Sequence, residues 1–416
     1  MNRIKPGVNE GGGKAVKGGK QPHGKVEVFH LQTLKKAICI LLAAVFFALW
    51  PAQAAAPNAK ALSDEEISAP AAVLMEAETG KVLYEKNANE VRACASITKV
   101  MTLLLVMEAL DSGKIALTDM VTASEHASSM GGSDIWLEPG ETMSVDDMIK
   151  ATAVASANDA AVALAEHISG TEEAFVAQMN EKAAQLGMVN TVFKNCNGLD
   201  EEGHVTTAYD IALMSRELIR HPAIFNYTSI WMDTLRGGKT QIVNTNKLLK
   251  SYKGITGLKT GTTGQAGSCI TATAQRDGLT LIAVTLGSAT GTERFSAAST
   301  LLDYGFANFV YYTPELPEGA LDPIGVEGGM QQQLQLQATE GVGVLLPKGQ
   351  EKDLAVSLER PENVTAPVEQ GQIIGKVVYR LGDEVLAQYD ITAAHRVEQV
   401  TFASALGVLL RQLLQM

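Results

Sequence analysis

Positive charge is in short supply: 34 lysines and arginines stand against 46 aspartates and glutamates, a formal net charge of -12. Nucleic-acid backbones are held by basic surfaces. The only basic concentration lies in residues 1–36, so a nucleic-acid partner is excluded for the folded part. Cysteine is scarce too. The four, Cys39, Cys94, Cys196 and Cys269, form no C-x-x-C pair and no metal-ligand spacing with the seven histidines, which argues against zinc or any other metal. Cys39 falls in an apolar leader, and the three beyond it read as buried thiols packing as small hydrophobes. That leader, Ala37–Trp50, is shorter than the roughly 20 residues of a bilayer-crossing helix. G-x-S-x-G, H-E-x-x-H and P-loop motifs are missing, and no cofactor is implied.

What is present is a long, core-forming chain. Its 416 residues are 46% hydrophobic and 19% charged, enough for two domains plus a targeting segment. Lys35 and Lys36, the apolar run and then Pro51-Ala52-Gln53-Ala54 have the form of a secretory signal with a small-x-small cleavage site. Residues 1–54 are therefore read as an N-terminal extension and signal peptide, and the product as exported to the outer face of the cytoplasmic membrane or the wall.

From about Ser68 the pattern is globular. Ala72–Met75 and Lys81–Tyr84 flank Glu78-Thr79-Gly80 as a hairpin. Ile97, Val100, Met101, Leu104, Leu105 and Met107 recur at helical spacing, so Ser96 falls at the N-terminal end of a buried helix. Further helices are expected at 145–165, 172–186, 207–219 and 293–309, and strands at 268–274 and 280–286. Strands at both ends with helices between them predict an α/β (α+β) catalytic domain over 68–311, its antiparallel sheet covered by helices. After a Pro-rich stretch at 312–319, short alternating segments over 320–390 predict a small all-β domain. In 396–416, Phe402, Leu406, Leu409, Leu410, Leu413 and Leu414 share one face, predicting an amphipathic helix that lies at a membrane interface.

Ser96-Ile97-Thr98-Lys99 places a hydroxyl and an amine three residues apart on one helical face. A serine is a poor nucleophile until a base takes its proton, and a lysine serves if burial lowers its pKa. Alone this spacing is weak, since about one S-x-x-K is expected by chance in such a chain, although Ser96 is the only match. Ser156-Ala157-Asn158 closes the apolar run Ala151–Ala155 and also fits an ordinary capping or turn serine. Lys259-Thr260-Gly261 stands in a Gly- and Thr-rich segment that also reads as a turn before the strand opened by Ser268. Lys259, Thr260 and Thr262 together supply the cation and hydroxyl donors that a terminal carboxylate needs. Arg294 is either a further carboxylate partner or a structural arginine.

S-x-x-K, S-x-N and K-T-G in this order mark penicillin-binding proteins and class A β-lactamases. Gly132-Ser133-Asp134, Pro139-Gly140-Glu141, Asn197-Gly198-Leu199-Asp200 with His204, and Lys259–Gly267 resemble segments of the low-molecular-mass serine D-Ala-D-Ala carboxypeptidases, peptidase family S11. Ala366-Pro367-Val368 with Gly371-Gln372 and Gly375 resembles their C-terminal β-domain. The resemblance implies a serine β-lactamase/transpeptidase-like fold. It implies Ser96 as acyl-ester nucleophile, Lys99 as proton acceptor and Ser156 as proton relay. Asn158, Lys259, Thr260, Gly261, Thr262 and Arg294 would bind substrate, with backbone N–H groups at Ser96 and after the K-T-G element meeting the oxyanion. The substrate implied is the peptidoglycan stem pentapeptide, losing its terminal D-alanine, with β-lactam antibiotics as acylating inhibitors.

Two departures stand out: Ala157 fills the middle of S-x-N, and Cys94 lies two residues before Ser96. A class A β-lactamase needs a glutamate after the S-x-N element, yet Thr191-Val192-Phe193-Lys194 holds none. A catalytically idle wall-binding protein would carry degenerate motifs, and these are intact. An endopeptidase acting on crosslinks shares every readable feature. A Ser-His-Asp triad through His204 and Asp210 is disfavoured.

Overall fold

The computed structural model describes residues 62–338 and 343–414. The leader, its cleavage site and Cys39 lie outside the described residues.

The central sheet is assembled from both ends of one segment. β1 (Ala71–Glu76) and β2 (Val82–Lys86) form the expected hairpin. Then come α1 (Lys99–Asp111), α2 (Asn158–Ser169), α3 (Glu172–Gln185) and α4 (Ala208–Leu218). β3 (Ile255–Thr263), β4 (Gly267–Arg276) and β5 (Leu279–Ser288) complete the sheet, and α5 (Gly291–Asn308) follows. The strand order is β2-β1-β5-β4-β3, with every neighbour antiparallel. Side chains alternate along a strand, and β1 is buried at each residue because both faces of the sheet are covered. Val73 and Met75 pack with α1, α2 and α4, whereas Ala72 and Leu74 pack with Ala297, Leu301 and Leu302 of α5.

α1 is apolar around most of its circumference, with Val100, Met101, Leu103, Leu104, Val106 and Met107 all buried, as in a helix enclosed by others. Each such side chain contributes about 1.5–3 kcal/mol on burial. The turn before α1 therefore hangs on a rigid support.

The stretch expected as one helix over 145–165 is broken. A helix at Val145–Lys150 widens into a π turn at Ala151–Ala155, Ser156 adopts a left-handed conformation (φ 63°, ψ 28°), and α2 begins at Asn158. Small apolar residues on both sides of the break keep the helical periodicity and hide it. The Gly- and Thr-rich segment, for which a turn is the alternative reading, is β3 itself, an edge strand. Its sequence lacks apolar alternation, so its pairing with β4 is set by tertiary packing.

β6 (Phe309–Tyr312) pairs with β7 (Val344–Pro347), joining the segment that holds the central sheet to the β-rich module by backbone hydrogen bonds. Within the expected all-β region the chain changes sheets at Gln335. Gln333–Leu334 belongs to a three-stranded sheet, and Leu336–Ala338 to a four-stranded sheet with 384–393, 373–381 and 354–359. α6 (Phe402–Leu414) occupies part of the predicted terminal helix, with Phe402, Leu406 and Leu414 exposed. Among the described residues no helix is long and apolar enough to cross a membrane.

Candidate active site

Ser96 sits in a 3-10 turn, Ala95–Thr98, that feeds directly into α1. The turn is strained: Ala95 has φ 51°, a left-handed setting that costs an L-residue about 1–2 kcal/mol. It persists because its surroundings over-determine it. Gly198 packs on it so closely that a Cβ there would lie 2.0 Å from the Ala95 carbonyl oxygen. Gly261 of β3 packs from the other side, where a Cβ would lie 2.8 Å from the Cys94 carbonyl oxygen and 2.9 Å from the Ser96 nitrogen. The opening N–H groups of a helical turn have no partner within it. The Ser96 N–H thus lies close against β3.

Lys99 is fully buried, and its Nζ makes three contacts. It lies 3.3 Å from Ser96 Oγ, 2.5 Å from Asn158 Oδ1 and 2.6 Å from the carbonyl oxygen of Asn197. Asn158 presents Oδ1 to the lysine because its Nδ2 donates to the Gly131 carbonyl at 2.6 Å. Both Asn158 Oδ1 and Asn197 O can only accept. A neutral amine gives them its two N–H bonds and turns its lone pair toward Ser96. Burial supports that state, lowering the Lys99 pKa to about 7 against weaker opposing effects of Cys196, Asp134 and Asp159.

A second buried lysine faces the first. Lys259 on β3 donates to Ser156 Oγ at 2.8 Å and to the Thr260 carbonyl at 2.9 Å. Burial, then the charges of Lys99 and Arg294, hold its pKa well below the ordinary lysine range. The left-handed turn at Ser156 aims this hydroxyl at Lys259 and starts α2 two residues later with Asn158. An arriving carboxylate offsets the desolvation and draws a proton back to such an amine.

Thr260 Oγ1 donates to Thr245 Oγ1 at 2.6 Å, while Thr262 is exposed. Arg294 on α5 donates through Nη1 to the Gly261 carbonyl and Thr262 Oγ1, each at 2.8 Å. It braces β3 and brings positive charge to it.

Sequence and fold both match proteins of known family. Residues 58–290 match the family model described as D-alanyl-D-alanine carboxypeptidase, and residues 320–399 match the C-terminal domain of penicillin-binding protein 5. The D-alanyl-D-alanine carboxypeptidase DacF of Bacillus subtilis is 42% identical over 90% of this chain and 97% of its own. The chain belongs to the D-alanyl-D-alanine carboxypeptidase family. With that comes its class, a serine-type carboxypeptidase. Among solved structures, penicillin-binding protein 5 from Haemophilus influenzae aligns with TM-score 0.69 and 33% identity, over 82% of this chain and 100% of that one. The ampicillin-bound form of penicillin-binding protein D2 from Listeria monocytogenes aligns with TM-score 0.53 and 36% identity, over 58% and 98%.

Two further residues of this carboxypeptidase support the turn, Thr98 without any signal in the sequence and His204 from a segment that resembles the family. Thr98 occupies a variable position of S-x-x-K, yet its Oγ1 donates to the Ala95 carbonyl at 2.9 Å. His204 lies behind it, 2.8 Å from Nε2 to Thr98 Oγ1. His204 Nδ1 accepts from the Lys194 N–H at 3.2 Å, which leaves the ring proton on Nε2 to donate to Thr98. Burial lowers the His204 pKa to about 4, so a neutral imidazole locks the strained turn. Asp210 accepts from Asn190 and Thr191 instead, so His204 and Asp210 are not paired as triad partners. Thr245 is signalled only by its polar neighbours Asn244 and Asn246. Among the described residues no group of three or more His, Cys, Asp or Glu is placed to hold a metal. Cys94 is buried with its Sγ 3.4 Å from Thr98 Oγ1, and burial pushes its pKa up to about 12.

Proposed function

We propose that this carboxypeptidase removes the terminal D-alanine of peptidoglycan stem pentapeptides through a Ser96 acyl-enzyme. Lys99 takes the Ser96 proton as Oγ attacks the penultimate carbonyl. The oxyanion is met by N–H groups of Ser96 and of β3; Ser156 gives its proton to the departing amine and is reprotonated by Lys99, so that the peptide C–N bond breaks, free D-alanine leaves and Lys99 is neutral again. Water then attacks the ester with Lys99 again accepting a proton, releasing the shortened stem and restoring Ser96. Asn158 orients Lys99 and the acyl chain. Lys259, Thr260, Thr262 and Arg294 hold the terminal carboxylate, and Gly261 keeps β3 close enough to do so. β-Lactams acylate the same oxygen.

The observation that carries this reading is the buried Lys99 amine, 3.3 Å from Ser96 Oγ and held by two acceptor-only groups. On this reading residues 1–54 direct export, 68–311 carry the chemistry, 320–390 form the β-rich domain, and 396–416 hold the enzyme at the outer face of the cytoplasmic membrane. α6 has 13 residues, about 20 Å of helix, so it lies along a membrane surface.

The test is D-alanine release from a pentapeptide stem together with labelling by a reporter penicillin. Wild type is expected to do both and Ser96→Ala neither. Rapid penicillin turnover without D-alanine release would instead establish a β-lactamase.

A further inference from the structure

Next to the segment held by Asn158 and Asp159 stands an aromatic residue that the reaction does not use. Trp136 is 81% exposed and has φ 53°, a setting in which a bulky side chain is an outlier. Its neighbours explain how it is held there. Ile135 and Leu137 are buried, and their N–H groups both donate to the buried Asp159 carboxylate, at 3.2 and 3.0 Å. Arg236 binds the carbonyl oxygens of Ile135 at 2.9 Å and of Trp136 at 3.4 Å, and grips Glu141 through Nε and Nη2 at 2.6 and 3.0 Å. The backbone is clamped on both sides of residue 136, so the indole is displayed outward on a rigid mount.

Strain of this kind is retained where it serves a site, and a rigid aromatic loses little freedom on contact. The mount grows from the catalytic wall. Asp159 adjoins Asn158, whose N–H and Nδ2 donate to the Ser133 and Gly131 carbonyls, each at 2.6 Å. Gly132 lies against the same amide, where a Cβ would be 3.0 Å from Nδ2.

We propose that Trp136 is a stacking platform for the sugar ring that carries the stem peptide. The inference rests on the reading given under Proposed function and extends it to the far end of the substrate. Reach agrees: Trp136 is four residues from Gly132, at most about 14 Å of chain, and the three stem residues beyond the scissile pair span about 10 Å when extended. Charge agrees as well. The Arg236 cation is matched by Glu141, and Asp134 and Glu138 flank the indole in sequence, so the mount repels an acidic stem residue and accepts the uncharged face of a sugar.

The experiment compares kcat/KM for D-alanine release from a disaccharide-pentapeptide and from the same pentapeptide without sugar. In wild type the sugar-bearing substrate is favoured. In Trp136→Ala the ratio between the two falls about tenfold, mainly through KM, and Trp136→Phe restores most of it. An equal fractional loss on both substrates, or an unchanged ratio, overturns the platform. Failure of wild type to release D-alanine from the bare pentapeptide overturns the catalytic reading itself, and the subsite with it.

Discussion

Burial lowers the pKa of both Lys99 and His204, and pH separates their tasks. The proposed base works only unprotonated, so the acylation rate rises with pH through about 7, the depressed value of Lys99, and levels off above it. Stopped-flow penicillin acylation from pH 5 to 9 reads this limb directly. Lys99→Arg keeps the charge but never deprotonates, and acylation falls by about 10²–10⁴, the usual worth of general-base catalysis. His204 has a folded pKa of about 4, below its ordinary 6.5. The unfolded chain binds the extra proton first, so the stability that a neutral His204 contributes is present above pH 6.5 and is lost as pH falls toward 4. Chemical denaturation should therefore show the gap between wild type and His204→Gln closing over that window. His204→Gln should also lower the acylation rate at pH 8 more than it raises KM, because the turn presenting Ser96 relaxes. A purely structural histidine would leave the rate at saturation unmoved.

Three elements converge on the 3-10 turn, and two of them do so by omitting a side chain. Gly198 combines φ 86° with the 2.0 Å approach to the Ala95 carbonyl, whereas Gly113 has φ 71° and nothing within 4 Å. Both glycines give the freedom that positive φ demands, but only one also gives space. Gly113→Ala is expected to cost about 1 kcal/mol, the conformational penalty alone. Gly198→Ala should cost at least twice that and slow penicillin labelling, as unfolding midpoints and acylation rates will show. At this scale the sequence was legible in part. α1 follows from a dense apolar run at helical spacing, and α3 and α4 from the apolar face that each buries. The break at Ser156 does not, since alanines suit a helix, a π turn and a second helix equally. β3 does not either, since its Gly and Thr residues are chosen for closeness to the turn and for hydroxyl chemistry.

Across the whole molecule, the expected α/β domain with an antiparallel sheet covered by helices is present, followed by a β-rich module and α6. Phe402 and Leu406 are exposed on α6, and Phe402→Asp with Leu406→Asp should abolish sedimentation of the protein with anionic vesicles while leaving penicillin labelling intact. By itself the sequence determined which groups are available: one serine with a lysine three residues on, the S-x-N and K-T-G elements in order, and apolar patterns dense enough to bury them. These are local facts, carried by spacing and composition. Only the tertiary structure decided that Lys259, 103 residues from Ser156 along the chain, donates to its hydroxyl. It also decided that the Asn197 carbonyl completes the Lys99 cage and that His204 locks the turn through Thr98. Those contacts depend on desolvation and on close approach between distant segments, and neither has a signature in the spacing of residues along a chain.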